Sequence, residues 1–171
     1  SKFYESYECS RARTEIENFF WHVFADNYIE IVKKRIYNET GNKKSSAQYV
    51  LYQGLWAILR MVAPITPFIT EEIYQNNFKK HEKQKSIHLC AWPEKIDVKG
   101  KKNDEEKWNK LIKIITKIRQ EKSNAKKSVN AEINLTLNAD DLSVVKDVEE
   151  DFKTVMSVKE LNKGKFKVEF V

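Results

Sequence analysis

From Ser10 to Tyr37 the chain contains neither glycine nor proline, while Ile16, Phe20, Val23, Asn27 and Ile31 recur at three- and four-residue steps. That spacing predicts one long helix, because residues three and four apart share a helical face. With Phe19, Trp21, Phe24, Tyr28 and Val32 added, apolar and aromatic side chains spread over more than half of the circumference. A helix of this kind must be gripped by neighbours on more than one side. The chain therefore has to supply further helices to pack around it.

The sequence supplies them. Thr40–Ser46 has turn composition, with Gly41 or Asn42 able to take left-handed backbone and end the first helix. A second helix is expected over Ser46–Val62, with Ala47, Leu51, Leu55, Ile58 and Val62 on one face. Pro64 should stop it, and Thr66 as N-cap with Pro67 at the first helical position should start a third. Glu71 and Glu72 then read as carboxylates near that helix's positive end. Three such helices predict a bundle. Lys79–Lys102 lacks a helical period, and SIHLCAWP, Ser86–Pro93, is expected to run extended across the bundle.

A fourth helix from Asp104 to about Lys127 sets Trp108, Leu111, Ile112, Ile115 and Ile118 against Lys110, Lys113 and Lys117. Beyond it the period changes. INLTLN, Ile133–Asn138, alternates as a strand does, and ADDLSVVKDVEEDFKTV returns to helical spacing through Leu142, Val145, Val148 and Phe152. VMSVKEL and KFKVEFV are expected to pair as a hairpin around Asn162, Lys163 and Gly164, the glycine taking positive φ. The expected fold is mainly α. Residues 1–102 form a helical bundle with an extended linker at its end, and residues 103–171 a basic helix plus a small α+β unit.

Composition agrees with this. A hydrophobic share of 41% over 171 residues supports a core, and only four glycines and three prolines favour helices over a many-turned β architecture. No apolar run approaches the roughly 20 residues of a membrane span, so a soluble protein is expected. Cys9 and Cys90 are far apart with no CxxC and no paired histidines, which fits a reducing cytosol better than a disulfide framework or a zinc site. His22, His81 and His88 are scattered, glycine-rich phosphate loops are missing, and Glu71 and Glu72 are adjacent and so point about 100° apart. No catalytic residue, cofactor or metal is expected, and a binding module is favoured over an enzyme.

The net charge of +6 is concentrated: Lys99–Lys127 holds eleven basic and four acidic residues. Such a block suits either a polyanion or a solvated lysine face. Recognition of single-stranded nucleic acid needs cations for phosphates and aromatic faces for bases. The first helix offers both. On α-helical spacing Trp21, Tyr28 and Arg35 share one line, with His22, Asp26, Ile29 and Lys33 beside it. The bland alternative makes the aromatics core and Lys33, Lys34 and Arg35 mere complements of the helix C-terminus.

These residues also resemble a known family. Phe20-Trp21-His22, Phe24-Ala25-Asp26, Tyr28-Ile29-Glu30, Lys33 and Arg35 are similar to the first helix of the anticodon-binding domain of valyl-tRNA synthetases. APITPFITEEIY, Ala63–Tyr74, followed by SIHLCAWP is similar to a second pair of elements shared by the valine, isoleucine and leucine enzymes. The first match is dense over seventeen residues, the two together cover roughly residues 1–95, and the resemblance is looser beyond Asp104. It implies binding of tRNA, specifically tRNA(Val), in the cytoplasm, with an isoleucine or leucine relative or a helical protein-interaction module as alternatives. Neither the His-x-Gly-His element nor the Lys-Met-Ser-Lys-Ser loop of the family occurs, and the chain ends without the long coiled coil of many bacterial members. The resemblance thus implies an archaeal-like member or a chain cut early. ATP, Mg and the catalytic and editing domains would belong to a parent enzyme outside this segment. Trp21, Asp26, Tyr28, Glu30, Lys33, Lys34, Arg35, Lys110, Lys113 and Lys117 are the candidate tRNA contacts.

Overall fold

A computed structural model describes residues 2–94 and 103–171. It is mainly helical with one small sheet, as expected. The described residues form two compact units: residues 2–29 with 38–94, and residues 30–37 with 103–171. The boundary predicted near residue 102 lies outside the described residues, as do the last residues of the predicted linker.

In the first unit, α1 (Lys2–Glu5) precedes α2 (Cys9–Asn18), and helical backbone then continues as an unusually wide π-helix over Phe19–Ile29. The helical run itself is as predicted, but its middle is not α-helical. Hydrogen bonds in a π-helix close from i to i+5, so each turn holds more residues than an α turn. The Asn27 amide follows the same step and donates to the His22 carbonyl five residues back. Helix α3 (Glu30–Asn38), most of which lies in the second unit, completes the run.

After Asn38, Glu39 is extended and Gly41 takes the left-handed backbone, φ +66°. There it opens α4 (Gly41–Val62) five residues earlier than the spacing suggested. Pro64 ends α4 as expected. Helix α5 (Pro67–Ile73) begins with Thr66 at the N-cap position, yet the Thr66 side chain makes no cap. The Thr70 hydroxyl instead donates back to the Thr66 carbonyl at 2.9 Å. Helical backbone then passes through a π turn, Tyr74–Phe78, into α6 (Lys79–Glu82), so the predicted irregular stretch begins four residues late. SIHLCAWP is not simply extended, because Ile87–Leu89 coils into a 3₁₀ turn.

Two apolar clusters hold this unit. Trp56, Leu59, Ala63, Tyr74, Phe78 and Ile87 form one, with the Trp56 ring stacked 5.6 Å from Tyr74 and 5.3 Å from Phe78. Ile16, Phe24 and Ile58 form the other, flanked by Phe20 and Tyr28. Burying each large side chain contributes about 1.5–3 kcal/mol. Gly54 permits the second cluster: a Cβ there would lie 2.6 Å from the Phe24 ring. The π segment therefore packs against bare backbone of α4.

In the second unit, α7 (Asp104–Asn124) buries Leu111, Ile114, Ile115 and Ile118. Ile114 takes the deep position that the spacing had given to Ile112. The strands β1 (Ile133–Leu137), β2 (Val158–Lys163) and β3 (Lys167–Phe170) form one sheet in the order β2-β1-β3. Between β1 and β2 come α8 (Ala139–Lys146) and α9 (Glu149–Met156), which divide the predicted helical stretch in two.

The predicted hairpin does not form. β2 runs parallel to β1 and β3 antiparallel to it on the opposite edge, so the two strands flank β1 and do not pair with each other. β1 takes the centre because Ile133, Leu135 and Leu137 are wholly buried, and a buried strand must satisfy the polar backbone on both its edges. The short link crosses the end of β1, where the Gly164 N–H donates to the Leu137 carbonyl at 2.8 Å. Gly164 does not take positive φ. It is needed for a different reason: a Cβ would sit 2.8 Å from the Thr136 methyl.

Candidate nucleic-acid interface

The candidates fall into both units. Trp21, Asp26 and Tyr28 belong to the first; Glu30, Lys33, Lys34, Arg35, Lys110, Lys113 and Lys117 belong to the second.

The π-helix breaks the expected alignment of Trp21 with Tyr28. Seven residues make almost two α turns but fewer turns of a wider helix, so the two rings leave their shared line. Trp21 is 57% exposed and touches Phe20 edge-on at 4.8 Å. Tyr28 is half-buried and lies 6.2 Å from the Phe24 ring, stacked. One aromatic stays open and the other joins the core. Asp26 holds the exposed His22 imidazole, Nδ1 to Oδ2 3.5 Å.

The three consecutive cations have different fates. Lys33 pairs with Glu30 at 2.7 Å on the exposed side of its own helix. Such an exposed pair contributes little to stability. Lys34 reaches Glu150 at 2.9 Å. Arg35 grips Asp151 in a bidentate pair, Nε lying 3.0 and 2.9 Å from the two carboxylate oxygens and Nη2 adding a further bond. Asp151 is only 5% exposed. A planar guanidinium fork matched to a buried carboxylate is a fold contact, and removing one partner strands the other charge. Glu149, Glu150 and Asp151 all sit in the first turn of α9, where the helix dipole favours them.

On α7, Lys110, Lys113 and Lys117 line one open groove of about 470 Å³ with Asn109, Glu106 and Asp141. Lys110 lies 3.5 Å from Asp141. Among the described residues no carboxylate pairs with Lys113 or Lys117, although the Lys117 ammonium stands 5.9 Å from the Phe166 ring centre. A groove with ammonium groups on one helical face suits a polyanionic backbone.

Two ionisable residues have structural roles that the sequence reading missed. Lys122 belongs to the basic block by sequence, yet it is 1% exposed and donates to the carbonyls of Val129 at 2.7 Å and Met156 at 2.8 Å. Burial pushes its ammonium below the usual lysine range. Its spacing was the available signal, since Leu111, Ile115, Ile118 and Lys122 follow one face. Glu71 is more than a helix-start carboxylate. Its Oε2 accepts from the Ser86 hydroxyl at 2.7 Å and the Ile87 N–H at 2.9 Å, while Oε1 accepts from the Gln75 amide. Burial raises its pKa, but these hydrogen bonds outweigh that and leave it below the usual carboxylate range.

A family model described as the anticodon-binding domain of tRNA ligase matches residues 1–137 of this chain. The chain belongs to that family. Among similar proteins, the valine–tRNA ligase of Thermococcus kodakarensis is 31% identical over 159 residues, covering 92% of this chain and 18% of the relative. That of Picrophilus torridus is 36% identical over 157 residues, covering 92% and 19%, and that of Rickettsia felis is 35% identical over 164 residues, covering 92% and 18%. This anticodon-binding domain thus spans less than a fifth of the length of those relatives. Among its described residues no helix is long and apolar enough to cross a membrane.

Proposed function

We propose that the chain is the tRNA-reading part of a valine–tRNA ligase and selects tRNA(Val) by its anticodon. The observation that carries this reading is the extent of the similarity, since proteins named valine–tRNA ligase match across 92% of the chain at 31–36% identity. In the parent enzyme other domains, using ATP and Mg, would join valine to the tRNA. This segment would contribute binding and orientation, holding the anticodon loop so that the acceptor end meets the chemistry.

Phosphate contacts position a nucleic acid and base contacts specify it. On this reading Lys113 and Lys117, with Lys110 beside them, meet phosphates. Trp21 offers an open face for stacking, and Lys33 can exchange Glu30 for a phosphate. Asp26 orients His22 or accepts from a base amino group. Tyr28, Lys34 and Arg35 serve mainly to hold the protein.

The test is binding of the chain to unmodified tRNA transcripts bearing valine, isoleucine and leucine anticodons. The reading predicts a preference for the valine anticodon that is lost when its middle base is changed. Preference for the isoleucine or leucine transcript would reassign the parent enzyme, and equal binding to all three would remove anticodon selection from this segment.

A further inference from the structure

The first unit contains a cavity that the candidate contacts do not use. It has a volume of about 230 Å³ and lies between α1, α2, the start of the π segment, Met61 and Trp92. Half of its lining residues are aromatic: Phe3, Tyr4, Phe19 and Trp92. Tyr4 meets Trp92 edge-to-face at 5.3 Å and is fixed by its hydroxyl, which donates to the Met61 carbonyl at 2.7 Å. Phe19 and Trp92 are partly open to solvent, 43% and 39% exposed.

Two charged groups accompany this apolar surface. Glu15 lines the cavity, and among the described residues no cation pairs with it, whereas Glu8 and Glu17 on either side are paired to Arg11 and Arg13. The Arg11 guanidinium stands 4.7 Å from the centre of the Phe3 ring, another wall of the cavity. Aromatic faces, a carboxylate acceptor and a neighbouring guanidinium are what an unstacked nucleotide needs: a platform, a partner for its base edge and a charge for its phosphate. The volume is below the roughly 300 Å³ at which pockets for drug-sized ligands begin, so it suits a single base.

We propose that this cavity receives one unstacked base of a bound RNA loop, and that the base carries an exocyclic amino group donating to Glu15. A carboxylate only accepts hydrogen bonds, so it matches the N4 amino group of cytosine, whereas uracil presents the acceptor O4 at that position and can reach a carboxylate only through N3–H. The proposal rests on the RNA-binding reading above.

The test is fluorescence anisotropy of the whole 171-residue chain with labelled oligocytidine and oligouridine of equal length, and with a tRNA transcript as a positive control. The chain should prefer oligocytidine, and Glu15→Gln should remove most of that preference. Phe19→Ala and Trp92→Ala should weaken both oligonucleotides about tenfold through lost stacking. Glu15 is exposed and its replacement nearly isosteric, so this variant decides the matter even if an aromatic variant fails to fold. Equal binding of the two oligonucleotides by the unaltered chain overturns the proposal. So does an unchanged preference in Glu15→Gln, which would leave the cavity to an apolar protein segment. If tRNA still binds in those cases the RNA-binding reading survives; if the chain binds no RNA, both fall.

Discussion

The π segment Phe19–Ile29 and the basic helix α7 carry the two kinds of side chain that read as nucleic-acid contacts, and the fold treats both in the same way. In the first, Phe24 and Tyr28 are drawn into the core while Trp21 stays open. In the second, Lys122 is buried against two carbonyls while Lys113 and Lys117 face a groove. Neighbours of identical chemistry are thus divided between holding the protein and staying open to solvent. Residue type alone does not make that division; the contact each side chain finds does.

Removing a holding residue should therefore destabilise, and removing an exposed one should not. The largest effect is expected from Arg35→Ala, which leaves Asp151 buried and unpaired and should cost about 3–5 kcal/mol in chemical denaturation. Arg35→Lys should restore part of this, since an ammonium keeps the charge but not the bidentate fork. A loss below about 1 kcal/mol would show that the pair is no holding contact.

Gly54→Ala comes next. Its new Cβ presses on the Phe24 ring, and overpacking of this kind costs about 1–3 kcal/mol. Phe24→Leu in the same chain should recover some of it, and a failure to do so would place the strain elsewhere.

Glu71→Ala should cost about 1–3 kcal/mol, as hydrogen bonds to a charged group do, and the cost should depend on pH. Because the folded-state pKa lies below the ordinary value of 4.5, the extra stability is fully present above that value and is lost as pH falls through the folded pKa. Melting curves of parent and variant should therefore converge in acid, and a gap that stays constant below pH 4 would contradict this. The smallest effect on folding, within about 0.5 kcal/mol, is expected from replacing Lys113 and Lys117 together by Ala.

Much of this was legible in the sequence because helical periodicity and proline punctuation act locally. Pro64 and Pro67 divide α4 from α5 as expected, and the alternation in INLTLN gives β1. The wider π turn was not legible, since nothing in the spacing of Trp21 and Tyr28 distinguishes it from α geometry. Nor was the sheet order. Val158–Leu161 and Phe166–Phe170 are close in sequence, which favours a hairpin, but a wholly buried β1 needs a partner on each edge. For the candidate contacts, the sequence supplied residue types while the pairing of Lys34 and Arg35 with Glu150 and Asp151 depends on residues far along the chain.

The most direct test of this division is the salt dependence of tRNA affinity for the chain carrying Lys113→Ala and Lys117→Ala, measured beside the unaltered chain. If both lysines meet phosphates, the variant should bind more weakly to every tRNA and its slope of log affinity against log salt should fall by about 2. An unchanged slope in a folded variant would contradict the account, because the cations left open by the fold would then have no part in holding RNA.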